Sequence, residues 1–388
     1  MFNPSDLVNA ISEDIRATPH QRIPFSSYME MALYQPDYGY YTTKSSILGP
    51  EGDFITSPHL GHDFGELLAI QFVEMWNVLG QPIPFHLVEM GAGQGLIAAD
   101  VLAYLQYHHP DVYTALSYII IEKSSALRAL QQERLTYKKV SWTTLDNVQP
   151  ITGCFFSNEL VDAFPVHIIE KHDNQLKEVY VTTQDNTLQE TLAPISTNKL
   201  TQYFDLVDID LLVNTYPNGY RTEVNLAALD WLDTVASRIN QGFLLTIDYG
   251  HTAQRYYSPA RHKGTLKCYY QHRHHDEPYT NIGQQDLTAH VDFTALERYG
   301  EKVGLTKLGF TQQGLFLMAL GLGDRVSNLT QAITPGPDSF NQLIQRRQAL
   351  HQLMDMSPMG LGTFGVLIQS KGVDSNVSLK GFTVPPLH

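Results

Sequence analysis

Residues 87–95, with the sequence LVEMGAGQG, decide the fold of this chain. The apolar residues at the start of the stretch predict a strand that is buried in a sheet. Gly91 permits a tight turn, Gly93 removes a side chain where the backbone must approach a ligand, and Gly95 lets the next helix pack closely. The first N–H groups of that helix have no partner inside the helix and face the ligand. The stretch therefore predicts a ligand site between a buried strand and a helix.

Strand and helix patterns alternate outward from this turn. Helical spacing at 97–107 and 124–135 separates short apolar runs from one another. Besides 85–91, strands are predicted at the runs 116–122, 139–143, 153–158, 242–250, 305–310 and 363–370. Such alternation produces a mostly parallel sheet with helices on both faces. The predicted fold class is therefore α/β, with a Rossmann-like sheet.

Domain boundaries follow the regularity of these patterns. Residues 1–80 predict an N-terminal helical region that contains one loop rich in turn formers. The predicted core comprises 81–183 and 226–388. Residues 184–225 and 251–291 are irregular in pattern, and we expect these two α+β insertions to form a lobe that covers the substrate.

Composition limits the class of partner and the compartment. The net charge of −14 argues against broad binding to nucleic acid, and it either attracts a basic segment of a partner or only keeps the protein soluble. The two cysteines, Cys154 and Cys268, exclude a disulfide framework and a four-cysteine zinc site. No run approaches eighteen apolar residues and the N-terminus lacks the features of a signal peptide. We therefore expect no membrane span, and the cytoplasm as the compartment.

The spacing of the glycines separates two classes of nucleotide site. A nicotinamide fingerprint reads G-x-G-x-x-G, whereas this run reads G-x-G-x-G with Leu96 at the place of the third glycine. The observed version is typical of methyltransferases that use S-adenosylmethionine (SAM) and release S-adenosylhomocysteine (SAH). Glu122 ends the second predicted strand, where an acid accepts both ribose hydroxyls, unless it is only a surface residue. Trp142 either stacks on the adenine or packs in the core. The residues predicted to bind SAM here are Glu89, Gly91, Gly93, Gly95 and Glu122.

Further motifs resemble one family, the MidA-like SAM-dependent methyltransferases, whose mitochondrial members are complex I assembly factors that methylate an arginine. The matching stretches are 28–34 (YMEMALY), 38–41 (YGYY), 52–58 (GDFITSP), 64–67 (FGEL), 158–167 (NELVDAFPVH), 248–251 (DYGH) and 286–293 (DLTAHVDF), with a weaker match at 359–364 (MGLGTF). The resemblance implies a class I methyltransferase fold and a protein substrate. It further implies that this substrate is a subunit of complex I or of a bacterial NADH dehydrogenase. A processed organellar form would act in the mitochondrial matrix.

The same resemblance assigns the loop 52–58 to the cofactor. Asp53 would reach the methionine amino group, and Thr56 or Ser57 its carboxylate. The alternative is an ordinary turn, because Gly-Asp and Ser-Pro both begin turns. The chain departs from the family where His59 replaces a glutamate, where GAGQG replaces a run closer to GPGRG, and where residues 160–161 are aliphatic instead of aromatic.

Four polar residues follow central strands and are candidates for the chemistry. Asn158, Glu159 and Asp162 come after the fourth strand, and Asp248 ends the strand 242–250. Open α/β sheets bind ligands at such strand ends. A charged arginine acceptor would need carboxylates to align it and to take its proton. We therefore predict that Glu159 and Asp162 orient the acceptor near Asn158 and Asp248; Asp162 alternatively only caps a helix.

Other interpretations of the motifs stay open. His272, His274, His275 and His290 suggest a metal site, but their spacing matches no helical ligand pair and favours a solvated loop, so no metal is expected. The chain is alternatively a SAM-binding assembly chaperone without turnover, or a small-molecule methyltransferase. A nicotinamide dehydrogenase fits worst. The sequence leaves a homodimer open.

Overall fold

A computed structural model describes residues 4–43, 56–185, 187–271, 273–331, 337–358 and 360–383. Asp53 and His272, two of the residues singled out in the sequence, lie outside these ranges. Among the described residues, no helix has the length and apolarity that a membrane crossing requires.

The helices have the bounds α1 (Pro4–Ala17), α2 (Phe25–Tyr34), α3 (Tyr40–Thr43), α4 (Asp63–Val78), α5 (Leu96–His108), α6 (Pro110–Ala115), α7 (Ser125–Arg134), α8 (Lys199–Val207), α9 (Leu226–Arg238), α10 (Ala253–Tyr256), α11 (Phe293–Lys302), α12 (Gln313–Ala319), α13 (Leu322–Gln331) and α14 (Pro337–Leu353). The strands have the bounds β1 (Arg22–Pro24), β2 (Phe85–Met90), β3 (Leu116–Ile121), β4 (Val140–Thr143), β5 (Ile151–Asn158), β6 (His167–His172), β7 (Gln175–Gln184), β8 (Thr187–Pro194), β9 (Arg221–Val224), β10 (Ile239–Asp248), β11 (Gly250–His251), β12 (Lys267–Tyr270), β13 (Arg273–His275), β14 (Asp286–Thr288), β15 (Val291–Asp292), β16 (Thr306–Gln312) and β17 (Gly365–Lys371).

The predicted α/β fold class is confirmed by a seven-stranded sheet with the order β16-β17-β10-β5-β2-β3-β4. The pairs from β10 to β4 are all parallel, and β17 runs antiparallel to both β10 and β16. The chain enters at β2, moves outward to β3 and β4, and returns to the other side of β2 at β5. This reversal makes a switch point between β2 and β5, and open α/β sheets bind ligands in the crevice at such a point.

Helices bury both faces of this sheet, which is why its strands read as continuous apolar runs. Along β5, Cys154 and Phe156 pack on one face in a cluster with α4 and α5, whereas Phe155 packs on the other face with α9. The alternation follows the two-residue period of a strand. Phe243 and Leu244 divide in the same way on β10.

A second, antiparallel sheet with the order β1-β7-β6-β9 lies beside the first, and β8 pairs with β7. We predicted that residues 165–183 belong to the core, but β6 and β7 pair only within this second sheet. The reason is a two-residue hairpin loop of Asp173 and Asn174, both in the left-handed region at φ 48° and 59°. Such a loop joins antiparallel neighbours and cannot make the crossover that parallel strands need.

The two predicted insertions contain regular structure. Residues 187–224 form β8, α8 and β9, and residues 250–292 contain two small sheets, β13-β12-β14 and β11-β15. Helices α1 and α2 pack against the second sheet through a shared cluster that includes Ile11, Phe25, Ile168 and Val181. The N-terminal region thus shares one core with β6 and β7 and, through Cys268 and Leu287, with the second insertion. That this lobe covers a substrate stays a prediction.

Candidate functional site

A cavity of about 510 Å³ lies at the carboxyl ends of β2, β3 and β5. The glycine turn, the ends of these strands and the start of α5 form its floor, and residues of α2, α3 and the turn at 56–59 form its other wall. Its size falls in the range of small-molecule sites. The cavity therefore occupies the switch point that the sheet topology defines.

The glycine turn has backbone angles that favour glycine. Gly91, Gly93 and Gly95 have φ of 71°, 52° and 75°, all in the left-handed region. Gly91 and Gly93 line the cavity, whereas Gly95 does not. A Cβ at Gly95 would lie 3.3 Å from the Leu135 side chain, so this glycine serves the packing of α5 near α7.

Glu89 lies beneath the turn, lines the cavity and is only 2% exposed. The Tyr118 hydroxyl donates a hydrogen bond of 2.6 Å to its Oε2. Burial raises the pKa of Glu89 to about 7, although the Tyr118 hydrogen bond opposes the shift. Glu89 is therefore poised between its neutral and charged forms near neutral pH.

Glu122 lines the cavity just after β3, and two donors fix its carboxylate. The Ser124 backbone N–H donates to Oε1 at 2.9 Å and the Gln131 side-chain amide donates to Oε2 at 3.0 Å. Burial raises the pKa of Glu122. Gln131 also donates to the Gly93 carbonyl at 2.8 Å, so it joins the acid to the glycine turn.

Trp142, for which adenine stacking and core packing were both considered, packs in the core. Its indole N–H donates to the Gln131 side chain at 3.0 Å, and its ring packs against the core cluster of α4 and α5. Trp142 does not line the cavity. Apolar surface for an adenine ring comes instead from Ile121, Leu127 and Leu145.

The loop after β5 places Glu159 in the cavity wall. Glu159 has φ of 52°, which is uncommon for a residue other than glycine and is concentrated at functional sites. Its N–H donates to the Ile247 carbonyl at 2.9 Å, and its carboxyl accepts the Asn158 side-chain amide at 3.1 Å and the Ser57 backbone N–H. Burial, reinforced by nearby Asp248, raises the pKa of Glu159 to about 8.

Asp162 lines the same cavity and is 7% exposed. Its Oδ1 is buried with no hydrogen-bond partner among the described residues, and the same is true of the Asn158 Oδ1. Burial raises the pKa of Asp162 well above its ordinary value, and the nearby carboxylates of Asp248, Asp286 and Glu159 add to the shift. Unpartnered buried polar atoms are costly, so these two oxygens call for a donor.

Asp248 lies behind the loop and does not line the cavity. Its Oδ2 accepts the backbone N–H groups of Leu160, Val161 and Asp162 at 3.1, 2.9 and 3.4 Å. Its Oδ1 accepts the Tyr249 N–H at 2.9 Å. Burial raises the pKa of Asp248 to about 7 against these hydrogen bonds. Asp248 therefore holds the loop that carries Glu159 and Asp162, and we correct our prediction that it stands beside the acceptor.

The turn at 56–59 contributes Thr56 but not Ser57. Thr56 lines the cavity, and its hydroxyl lies 2.8 Å from the His59 Nδ1. Ser57 is fully buried, and its hydroxyl accepts the Gln313 side-chain amide at 2.9 Å, away from the cavity. His59, noted in the sequence only as a departure from the family, also lines the cavity.

Aromatic residues from the N-terminal helices complete the site, and no role was predicted for them from the sequence. Tyr34 and Tyr41 line the cavity with ring centroids 5.5 Å apart. The Tyr41 hydroxyl donates to both carboxylate oxygens of Asp286, at 2.9 and 3.0 Å. Their only sequence signal was membership of the stretches YMEMALY, YGYY and DLTAHVDF.

One histidine-containing cluster in the described part of the chain has the spacing of metal ligands, namely His62, Asp63 and Glu66. Two arginines already pair with its carboxylates: Arg325 contacts both, and Arg346 contacts Asp63 at 2.8 Å. Both carboxylates are therefore already paired with cations. Of the predicted solvated histidines, the described ones, His274, His275 and His290, are not members of this cluster.

The residues of the cavity fit SAM. Glycines at the turn let the backbone approach a ligand, and the Glu122 carboxylate retains lone pairs for ribose hydroxyls. The apolar walls suit an adenine. The arrangement therefore satisfies the requirements of the predicted cofactor.

Comparisons with known proteins agree with this geometry. A family model described as "Putative S-adenosyl-L-methionine-dependent methyltransferase" matches residues 67–311. A Drosophila melanogaster protein named "Protein arginine methyltransferase NDUFAF7 homolog, mitochondrial" is 30% identical over 368 residues, which cover 87% of this chain and 79% of that protein. The human protein arginine methyltransferase NDUFAF7, mitochondrial, is 29% identical over 370 residues, covering 88% of this chain and 78% of the relative.

A solved structure is similar along nearly the whole chain. A Burkholderia thailandensis protein with bound S-adenosyl-homocysteine superposes with a TM-score of 0.84 and 29% identity, covering 98% of this chain and 95% of that one. A native structure of a protein from the same organism gives 0.82 and 30%, with the same coverage. These similarities extend over the core, the second sheet and the N-terminal helices alike.

Proposed function

The chain belongs to the S-adenosyl-L-methionine-dependent methyltransferase family and has its class I fold, and we propose that it methylates an arginine side chain of a protein substrate. The observation that carries the proposal is the pair of unpartnered oxygens on Asp162 and Asn158 in the cavity wall. A guanidinium presents five N–H donors in a planar fork and no acceptor. It would supply both missing donors and a charge that compensates the clustered carboxylates.

Glu122, Gly91 and Gly93 would hold the cofactor. Glu122 accepts the ribose hydroxyls, and the two glycines let the turn approach the methionine part, with Glu89 beneath them. When bound, SAM supplies a methyl group activated by a sulfonium centre. Thr56 is proposed to contact the amino-acid end of the cofactor, and the same contact is proposed for Asp53, which lies outside the described residues. Gly95 instead allows α5 to pack near α7, and the Ser57 backbone N–H holds the Glu159 carboxyl.

Glu159 and Asp162 would bind the acceptor. Ionised, they align the guanidinium by charge-assisted hydrogen bonds. Glu159 then takes up the proton that the methylated nitrogen gives up, a role that suits a carboxyl group with a pKa of about 8. Asn158 fixes the Glu159 carboxylate, and Asp248 fixes the loop. Asp248 is therefore proposed as a positioning residue, whereas Asn158 both positions Glu159 and offers its Oδ1 to the acceptor.

The proposed acceptor protein is a subunit of respiratory complex I or of a bacterial NADH dehydrogenase, whose assembly the methylation would aid. The support is the family resemblance and the name protein arginine methyltransferase of the relatives. Those relatives are named as mitochondrial; for this chain we propose a bacterial cytoplasm or, for an organellar form, the mitochondrial matrix. Buried Cys154 and Cys268, both free, suit either reducing compartment.

Transfer of labelled methyl groups tests the proposal. Purified protein and labelled SAM are added to an extract of cells that lack the protein, and the labelled band is hydrolysed to identify the modified amino acid. We expect label in methylarginine. Gly93→Val should abolish labelling, because it places a branched side chain at a left-handed position of the cavity floor.

Gly304→Val is the matched control. Gly304 also has positive φ, at 88°, but it lies away from the cavity with open space around its Cβ position. This variant should retain labelling. Label on another amino acid would reject the arginine assignment. Loss of labelling in Gly304→Val would mean that the loss in Gly93→Val reports misfolding and not a blocked cofactor site.

A further inference from the structure

Tyr34 joins the two halves of the site. It is the last residue of α2, and its hydroxyl donates to the Ala163 carbonyl at 2.9 Å. Ala163 ends the short 3-10 helix Val161–Ala163, which carries Asp162. Burial raises the pKa of Tyr34 well above its ordinary value, so the hydroxyl remains a donor throughout the working pH range. The acceptor loop is thus attached to α2 by a hydrogen bond from a hydroxyl that stays protonated.

The Tyr34 ring meets the cofactor side. The Lys123 ammonium lies 4.9 Å from the ring centroid, in the geometry of a cation–π contact. Lys123 follows Glu122, the residue proposed to bind the ribose. The ring also stacks on Tyr41 with planes 20° apart, and Tyr41 is in turn fixed by Asp286. One side chain therefore contacts both the strand end assigned to the cofactor and the loop assigned to the acceptor.

We propose that Tyr34 is a positioning residue that couples cofactor binding to the geometry of the acceptor loop. This inference deepens the proposed function and rests on it. A cofactor that orders residues 121–125 restrains Lys123, and the restraint passes through the Tyr34 ring and hydroxyl to Ala163. Asp162 and Glu159 then take the positions in which they meet an acceptor.

Hydrogen–deuterium exchange of the full chain, with and without SAH, measures this coupling directly. The N–H groups of Leu160, Val161 and Asp162 bind the Asp248 carboxylate and so report on the loop. In the wild type, SAH should slow exchange at 121–125 and at 160–162. Tyr34→Phe keeps the ring and removes the donor. In this variant SAH should still protect 121–125, but the protection that SAH adds at 160–162 should be smaller by about 2- to 12-fold, the worth of one neutral hydrogen bond.

Tyr38→Phe is the matched control, because Tyr38 packs against the N-terminal cluster and does not line the cavity. It should behave as the wild type. Lys123→Met removes only an exposed cation, so this variant should fold normally. It should also weaken the protection at 160–162 that SAH induces.

Steady-state kinetics gives the second measurement. Tyr34→Phe should lower kcat about 2- to 12-fold and leave KM for SAM within about twofold. The coupling is refuted if SAH adds as much protection at 160–162 in Tyr34→Phe as it adds in the wild type. Absence of arginine methylation by the wild type would reject the proposed function and leave the exchange result to be judged separately.

Discussion

Replacing Asp162 with asparagine should lower activity and raise stability at the same time. The change is isosteric and removes one buried charge. Asp162 accepts the Ala163 N–H, which the asparagine oxygen can still do, and the new amide takes the place of the unpartnered Oδ1. The protein alone therefore loses no hydrogen bond, whereas a bound guanidinium loses an ionic acceptor.

The size of both effects follows from the surroundings of Asp162. A hydrogen bond to a charged group is worth about 1.5–3 kcal/mol, so kcat/KM for the acceptor should fall about 10- to 150-fold. Removal of an unfavourable charge at a functional site should add about 0.5–2 kcal/mol to the free energy of unfolding. Because the pKa of Asp162 is raised in the folded state, its charge costs stability above the pKa of the unfolded chain, and the cost grows as pH rises. The gain should therefore be larger at pH 8 than at pH 5.

The assay compares thermal unfolding at these two pH values, without SAM or acceptor, with initial rates on the methylated substrate. Asp14→Asn, on the exposed face of α1, is the control and should change neither quantity. A variant that loses stability while keeping full activity would refute the reasoning, since Asp162 would then be a structural cap and not an acceptor ligand.

Three further predictions test other parts of the site. Glu122→Ala should raise the Kd for SAM by about 10- to 150-fold in calorimetry. Trp142→Phe should instead mainly lower the free energy of unfolding, by about 0.5–1.5 kcal/mol. The same SAM affinity in these two variants would contradict both roles. Asp248→Asn should destabilise the protein by about 1–3 kcal/mol and lower kcat with little change in SAM affinity, because backbone donors lose an acceptor; a fully stable variant would contradict the loop assignment. The pKa of about 8 for Glu159 predicts that kcat/KM for the acceptor rises with pH, by at most roughly tenfold per unit below that pKa, and levels off above it. In rate measurements from about pH 6 to 9 the slope should be smaller in Glu159→Gln, where Asp162 still titrates; an unchanged slope would contradict the role of Glu159.

The sheet was predictable because its signals are local. A buried strand, a run of glycines and a helix fix β2 and α5, and alternation of strand and helix then leaves few topologies. The second sheet was misassigned at its boundary because β6 and β7 look as apolar as core strands. The hairpin loop at 173–174 is the signal that separates them, since Asp and Asn tolerate the left-handed region.

The position of the cavity was predictable from the strand ends, and Glu122, Glu159 and Asp162 all line it, while their roles stay predictions. It was not predictable where partners are distant in sequence. Asp248 ends its strand as expected, but only the tertiary structure shows that its oxygens face backbone N–H groups 86 to 88 residues away. Tyr34 reaches Ala163 across 129 residues, and no local pattern encodes such a contact.

Mass spectrometry of purified NADH dehydrogenase from cells with and without this protein tests the central claim most directly. We predict one arginine that is methylated in wild-type cells, unmodified in cells lacking the protein, restored by the wild-type gene and not restored by Gly93→Val. An identical methylation pattern on every subunit in both strains would contradict the proposed substrate, and an absence of any methylarginine difference across all proteins would contradict arginine methylation itself.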